Sequence, residues 1–217
     1  MTTEHFIIEL FCRVDDAMLD AKKHSQANLY PSEVITLALL FALKGVGNRA
    51  FYRWLTRDYL HLFPQLPERT RLFRLFNSHR HWIDHFMAAP SLIGVIDTYG
   101  IELIHPRREG RSKQQIGRKG KSNWRWIVGG KLCLLLNHLG LIVGWDVDTA
   151  NVYDGSAFQE LVDRVADAML VFSDTAFEKK DWHPTNLKTC KRSEWNTRIR
   201  VETVLSMLTT TCHIKKM

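Results

Sequence analysis

The sequence predicts an α/β protein: a mixed sheet with flanking helices, preceded by an all-helical N-terminal region. Three observations carry that prediction. Residues 1–90 place apolar side chains at helical spacing and show no strand alternation. The character changes at Ala88-Ala89-Pro90, beyond which two apolar runs, 92–97 and 168–174, each close on an aspartate. Between those runs lies a long hairpin pattern with its turn around His138-Leu139-Gly140.

Taken in order, segments 4–21, 32–44, 48–60 and 68–87 read as helices. Their limits are marked by Pro31-Ser32, by Gly45, and by Pro64 and Pro67. Helix 32–44, the turn Gly45-Val46-Gly47 and helix 48–60 have the form of a helix-turn-helix. Arg49, Arg53 and Arg57 recur four apart, opposite Phe51, Trp54 and Leu55. That face suits reading a DNA major groove and equally suits a plain solvated surface. Residues 1–90 are therefore expected to be a helical, helix-turn-helix DNA-binding region, and residues 91–217 a catalytic domain.

From residue 92 a strand runs to 97 and resumes over 100–104, followed by a basic, glycine-containing loop over 106–123. The hairpin WRWIVGGKLCLLLN and LIVGWDVDT comes next, with Gly129-Gly130 suggesting a bulge. Residues 155–167 suit a helix with Phe158, Leu161, Val162 and Val165 on one face. Strand 168–173 and a final helix from about Glu194 complete the chain. The order strand, hairpin, helix, strand, helix is the RNase H-like pattern, in which the first and fourth strands lie side by side. That adjacency would bring Asp97 and Asp174 together.

A carboxylate at the end of a buried strand is costly to desolvate unless a cation or a partner offsets it. Two such aspartates point to metal-dependent chemistry on a phosphodiester, where two divalent ions about 3.5–4 Å apart activate the attacking oxygen and stabilise the leaving one. Magnesium takes hard oxygen ligands and keeps water and substrate in its shell, so a few carboxylates suffice. A third acid must come from an element packed beside the strands. On the last helix Arg198, Glu202, Ser206 and Thr209 form a polar stripe, while Val201, Val204, Leu205 and Leu208 form an apolar one. Glu202 would then project toward the strand ends. Each acid also has a bland reading: Asp97 as a turn cap, Asp174 as a turn start, Glu202 as a partner of Arg198.

The net charge of +7 and a pI near 9.3 suit a polyanionic partner. The excess is concentrated after the first strand-end aspartate, where residues 91–150 hold nine Lys/Arg against five Asp/Glu. Arg107, Arg108, Arg111, Lys113, Arg118, Lys119, Lys121 and Arg125 crowd this segment, with Gly110, Gly117 and Gly120 among them. A flexible cationic loop beside a metal site suits contact with DNA phosphates, which supplies affinity without sequence choice. Its alternative is a solvated loop.

Four scattered cysteines with no CxxC pair argue against a zinc knuckle or disulfide framework and fit a reducing cytoplasm. The N-terminus lacks signal-peptide character. The most apolar stretch, 34–43, is too short to span a bilayer, so no membrane partner is expected. His79, His81 and His85 lack a third metal ligand at suitable spacing. Trp124 and Trp126 alternate on a strand, as core or sheet-face residues do.

Four stretches resemble the bacterial insertion-sequence transposases with a DDE catalytic triad: VIDTYGIEL, GGKLCLLLNHLGLIVGWDVDTANVYD, VFSDTAF and WNTRIRVETVLSML. The resemblance implies Asp97, Asp174 and Glu202 as catalytic ligands of two Mg²⁺ (or Mn²⁺) ions, with Arg198 orienting Glu202 or touching phosphate. It implies DNA end cleavage and strand transfer on double-stranded DNA, element ends and target alike, by a homodimer or higher oligomer. It also implies supporting roles for Lys131 and Asp154, though Asp154 equally reads as the N-cap of helix 155–167. Trp195 stands where the family's tyrosine is expected, Thr209 where its lysine is, and Cys133 where a histidine is often found. The chain ends 15 residues after Glu202, whereas family members usually continue, so a C-terminally truncated copy is expected. The alternatives are a catalytically inactive copy that binds DNA or regulates a full-length one, and an RNase H-like nuclease.

Overall fold

The computed structural model describes residues 2–111, 115, 117–122, 125–178, 181–190 and 198–212. The chain divides into two compact units, Met1–Phe86 and Met87–Thr210.

The first unit is helical: α1 (Thr3–Ala17), α2 (Pro31–Lys44), α3 (Asn48–Asp58) and α4 (Arg69–Ser78), with short 3-10 turns at Leu60–Leu62 and Arg80–Phe86. Thr2 caps α1 by accepting the His5 N–H at 3.2 Å. Pro31 opens α2, and Glu33 reaches back to the Tyr30 N–H at 2.7 Å. Gly45, at φ 59°, ends α2 in the left-handed conformation that glycine adopts without penalty. After a three-residue turn α3 leaves at 116° to α2. Ile7, Leu37, Phe51, Leu55 and Leu72 are fully buried between the helices, and Phe41 meets Phe51 and Phe73 edge-on. The helix predicted over 68–87 breaks at Ser78. There the Ser78 hydroxyl donates to the Leu75 carbonyl at 3.0 Å and the His79 Nδ1 lies 2.9 Å from the same oxygen, drawing the last turn closed.

The second unit holds a mixed sheet. Its strands are β1 (Ile93–Ile104), β2 (Arg118–Ser122), β3 (Arg125–Asn137), β4 (Ile142–Thr149), β5 (Leu170–Ser173) and β6 (Leu187–Thr189). Along one path the order is β2-β3-β1-β5-β6, and β4 pairs with β3. The far edge of β3 is shared: residues 125–129 pair with β2 and residues 130–136 with β4, both antiparallel. The core order β4-β3-β1-β5-β6, antiparallel up to β1 and parallel beyond it, is RNase H-like.

Alternation along the strands sends side chains to two cores. Ile96, Cys133, Leu135 and Val171 meet Phe158, Leu161, Val162 and Phe177 on one face. Val95, Leu132, Leu134 and Leu136 meet Val201 and Leu205 on the other. Those last two belong to α7 (Arg198–Thr211), while α5 (Asp154–Ala157) and α6 (Gln159–Asp163) lie on the first face.

Local expectations need four corrections. β1 is one continuous strand of 12 residues rather than two pieces. The predicted helix 155–167 is two short helices broken at Phe158, whose side chain is fully buried. Register shifts lie on β1 between Glu102 and Ile104, opposite Gly129, and in the hairpin where Leu135 and Leu136 face Gly144 and Ile142, rather than at Gly129-Gly130. Gly129 is needed at the first because a Cβ would collide with the Ile101 carbonyl oxygen. Last, the basic segment is not all loop: Arg118, Lys119 and Lys121 lie on β2. Gly120 of that strand is buried against the Ala150 backbone, so it serves close approach and not flexibility. No single helix among the described residues is long and apolar enough to cross a membrane.

Candidate active site

β1 and β5 run parallel with a constant register: Ile93 beside Leu170, Gly94 beside Val171, Val95 beside Phe172. The pairing ends at Val95 and Phe172; Asp97 lies two residues further along β1, and Asp174 two residues beyond Phe172, just past the end of β5. Asp97 shares the face of Val95, the one covered by α7, because side chains alternate.

Asp97 is buried, with 7% of its surface exposed, and its Oδ1 accepts the Thr98 N–H at 2.8 Å. Asp174 is half-buried. It caps the 3-10 turn Thr175–Phe177 by accepting the Ala176 N–H at 3.0 Å. The turn-start reading of Asp174 thus holds.

Glu202 lies on α7, one position past Val201, which packs on Val95 and Leu134. The helix covers the Asp97 face, but Glu202 itself is exposed. Among the described residues no three His, Cys, Asp or Glu close into a group that could hold a metal. The structure thus places Asp97 within β1, Asp174 just past the parallel β5 and Glu202 on the neighbouring helix α7. Arg198 opens α7, and its side chain lies outside the described residues, as do Lys113, Trp124 and Trp195.

Lys131 and Asp154 meet on the opposite face. Lys131 Nζ donates to Asp154 Oδ1 at 2.6 Å and to the Val152 carbonyl at 2.9 Å. The Thr98 hydroxyl donates to Asp154 Oδ2 at 2.7 Å. Asp154 is the first residue of α5, with Tyr153 in the cap position, so its predicted N-cap role falls to Tyr153. Thr98 was not singled out from the sequence. Its side chain holds Asp154 while its backbone N–H holds Asp97, so it links the two faces. Its position directly after an aspartate that closes an apolar run was the available signal.

Cys133 lies between these groups and is fully buried. Burial, and then the nearby charges of Asp154, Asp97 and Asp146, push its thiol well above the ordinary range, so it stays protonated at neutral pH.

The described basic residues Arg107, Arg108, Arg111, Arg118, Lys119, Lys121 and Arg125 are all exposed. Two have acidic neighbours: Lys119 lies 3.5 Å from Glu109, and Arg125 lies 3.4 Å from Glu102. Trp126 is 59% exposed with Lys119 Nζ 5.9 Å from its ring centre, so it is a sheet-face residue and not a core one.

In the helical unit Arg49, Arg53 and Arg57 are exposed along α3. Arg57 is doubly bonded to Asp58, at 2.7 and 2.8 Å. That bond holds the Asp58 carboxyl below its usual range and raises the guanidinium further.

A family model described as "Transposase DDE domain" matches residues 87–200, more than half of the chain. The matched stretch includes Asp97, Lys131, Asp154, Asp174 and Arg198, and stops two residues before Glu202. No curated protein matches the chain. The RNase H-like sheet and the family match agree, and the chain belongs to the transposase DDE domain family.

Proposed function

We propose that this transposase cleaves double-stranded DNA at element ends and joins the freed 3′-hydroxyl to a target strand, at a centre built on Asp97, Asp174 and Glu202. The observation that supports this reading best is the parallel pairing of β1 with β5, beyond whose last pair Asp97 and Asp174 each follow by two residues. Two carboxylates so placed are a hard-oxygen donor set that suits Mg²⁺ or Mn²⁺, two ions in all once substrate oxygens contribute. Bound there, such ions would lower the pKa of the attacking water and neutralise charge on the phosphodiester.

The chain's own residues do the rest. Asp97 and Asp174 hold the cations, and Glu202 completes the set from α7 with Arg198 orienting it. Thr98, Asp154 and Lys131 keep the β1 backbone at Asp97 in place from behind. Exposed Arg107, Arg108, Arg111, Arg118, Lys119 and Lys121 draw the DNA backbone across this end of the sheet, with Lys113 and Arg125 in the same segment. In the first unit Arg49 and Arg53 of the helix-turn-helix contact DNA, while Arg57 is held by Asp58. The assembly acts as a homodimer or higher oligomer.

The test is Asp97→Asn. Mn²⁺-dependent cleavage of an end-containing duplex should disappear while DNA binding persists; unchanged cleavage would sink the mechanism. A second reading is a family member that binds DNA without cutting it. One observation favours it: the three acids do not close into a ligand group among the described residues. Cleavage by the unmodified chain excludes that reading. Cut products without strand joining would instead favour a nuclease.

A further inference from the structure

The helical unit carries an open hollow of about 460 Å³ lined by Arg49, Tyr52, Arg53 and Thr56 of α3 and by Arg69 of α4. Among the described residues no carboxylate lines it. Arg49 and Arg53 are exposed and one turn apart, and Arg69 is half-buried at the start of α4. None of the three has an ion-pair partner among the described residues, in contrast to Arg57, which is committed to Asp58. Both hydroxyls on the wall are already used as donors. Tyr52 bonds the Pro67 carbonyl at 3.1 Å, fastening α3 to the segment that leads into α4. Thr56 bonds the Tyr52 carbonyl at 3.0 Å. The donors left for a ligand are therefore guanidinium groups from two helices.

Three uncompensated guanidinium groups around an open hollow match an oxyanion with several acceptor oxygens that remains partly in water. A backbone phosphate meets that description, and arginine's planar fork suits it better than lysine's point charge. The helix carrying two of the three follows α2 at 116° after a three-residue turn. That is the arrangement in which a second helix lies against duplex DNA.

We propose that this hollow grips a backbone phosphate of duplex DNA through Arg49, Arg53 and Arg69, and that Arg57 takes no part. The grip positions the unit without reading sequence. It rests on reading the chain as acting on DNA, but not on the acidic centre.

The test is fluorescence anisotropy of the full chain with short mixed-sequence DNA duplexes over a range of salt. Arg53→Ala and Arg69→Ala should each weaken binding several-fold on every duplex alike and reduce the slope of log affinity against log salt by about one. Arg57→Ala should change neither. Arg69→Lys, which keeps the charge and the fold, should keep most of the slope but lose affinity. Three results overturn the proposal: wild-type slopes for Arg53→Ala and Arg69→Ala, an Arg57→Ala loss equal to theirs, or losses confined to particular base sequences. A preference for duplex RNA over DNA overturns it as well. Cleavage is not the readout, so failure of the metal-site reading would leave this result interpretable.

Discussion

Lys131 Nζ sits 2.6 Å from Asp154 Oδ1, on the sheet face opposite the Asp97 carboxylate, with both side chains largely out of solvent. The pair spans β3 and the first residue of α5, and the Thr98 hydroxyl completes it. A buried pair of this kind is weak evidence for stability in itself, yet breaking it strands a charge.

Lys131→Met should therefore destabilise the fold by about 3–5 kcal/mol, because Asp154 would keep only its Thr98 bond. Adding Asp154→Leu should recover most of that loss. Urea unfolding of the single and double variants measures both. A loss below about 1 kcal/mol in the single variant, the value of an exposed pair, would contradict the burial argument.

Cys133 gives a pH prediction with a definite sign. Its thiol pKa in the folded protein is raised, chiefly by burial. Below the unfolded value, about 8.5, both states hold the proton and stability is unaffected. As pH rises past that value the unfolded chain ionises first, so stability falls. Thermal melts across the alkaline range should show a decline that Cys133→Ala makes shallower. An identical slope in the variant would mean that other groups cause it.

Gly120→Ala places a methyl group against the Ala150 carbonyl where β2 passes close by. The expected cost is about 1–3 kcal/mol of stability, typical of overpacking, read as a lower melting temperature. A neutral outcome would show that β2 moves away freely and that the segment behaves as a loop.

The three acids should separate in a metal titration without DNA. Asp97→Asn and Asp174→Asn should each abolish Mn²⁺ binding measured calorimetrically, since these two carboxylates follow the paired residues of β1 and β5 in the proposed centre. Glu202→Gln should change that binding little, because Glu202 is exposed on α7, yet it should still remove cleavage. Equal effects of all three on Mn²⁺ binding would show the triad closed before DNA arrives.

Legibility followed the range of the interactions. Asp97 and Asp174 could be read because an apolar run ending on an acid is a local pattern, and their adjacency followed from strand order. The helices around Gly45 were legible from proline, glycine and helical spacing. β2 was not, because RKGKS lacks apolar alternation and is a strand only through the edge that β3 offers it. The choice between Arg57 and Arg69 was equally hidden. A guanidinium is free or committed according to neighbours, and Arg69 reaches the hollow only because α4 packs beside α3.

By itself the sequence determined the succession of β1, the β3–β4 hairpin, β5 and the last helix, and the two aspartates that close apolar runs, since these follow from periodicity and local punctuation. The tertiary structure decided which face each side chain takes. It set Asp97 toward α7 and Thr98 toward Asp154 and Lys131, because alternation sends adjacent residues of one strand to opposite cores. It also decided that Glu202 stays exposed on its helix, since Val201 and Leu205, and not the carboxylate, are what the sheet buries.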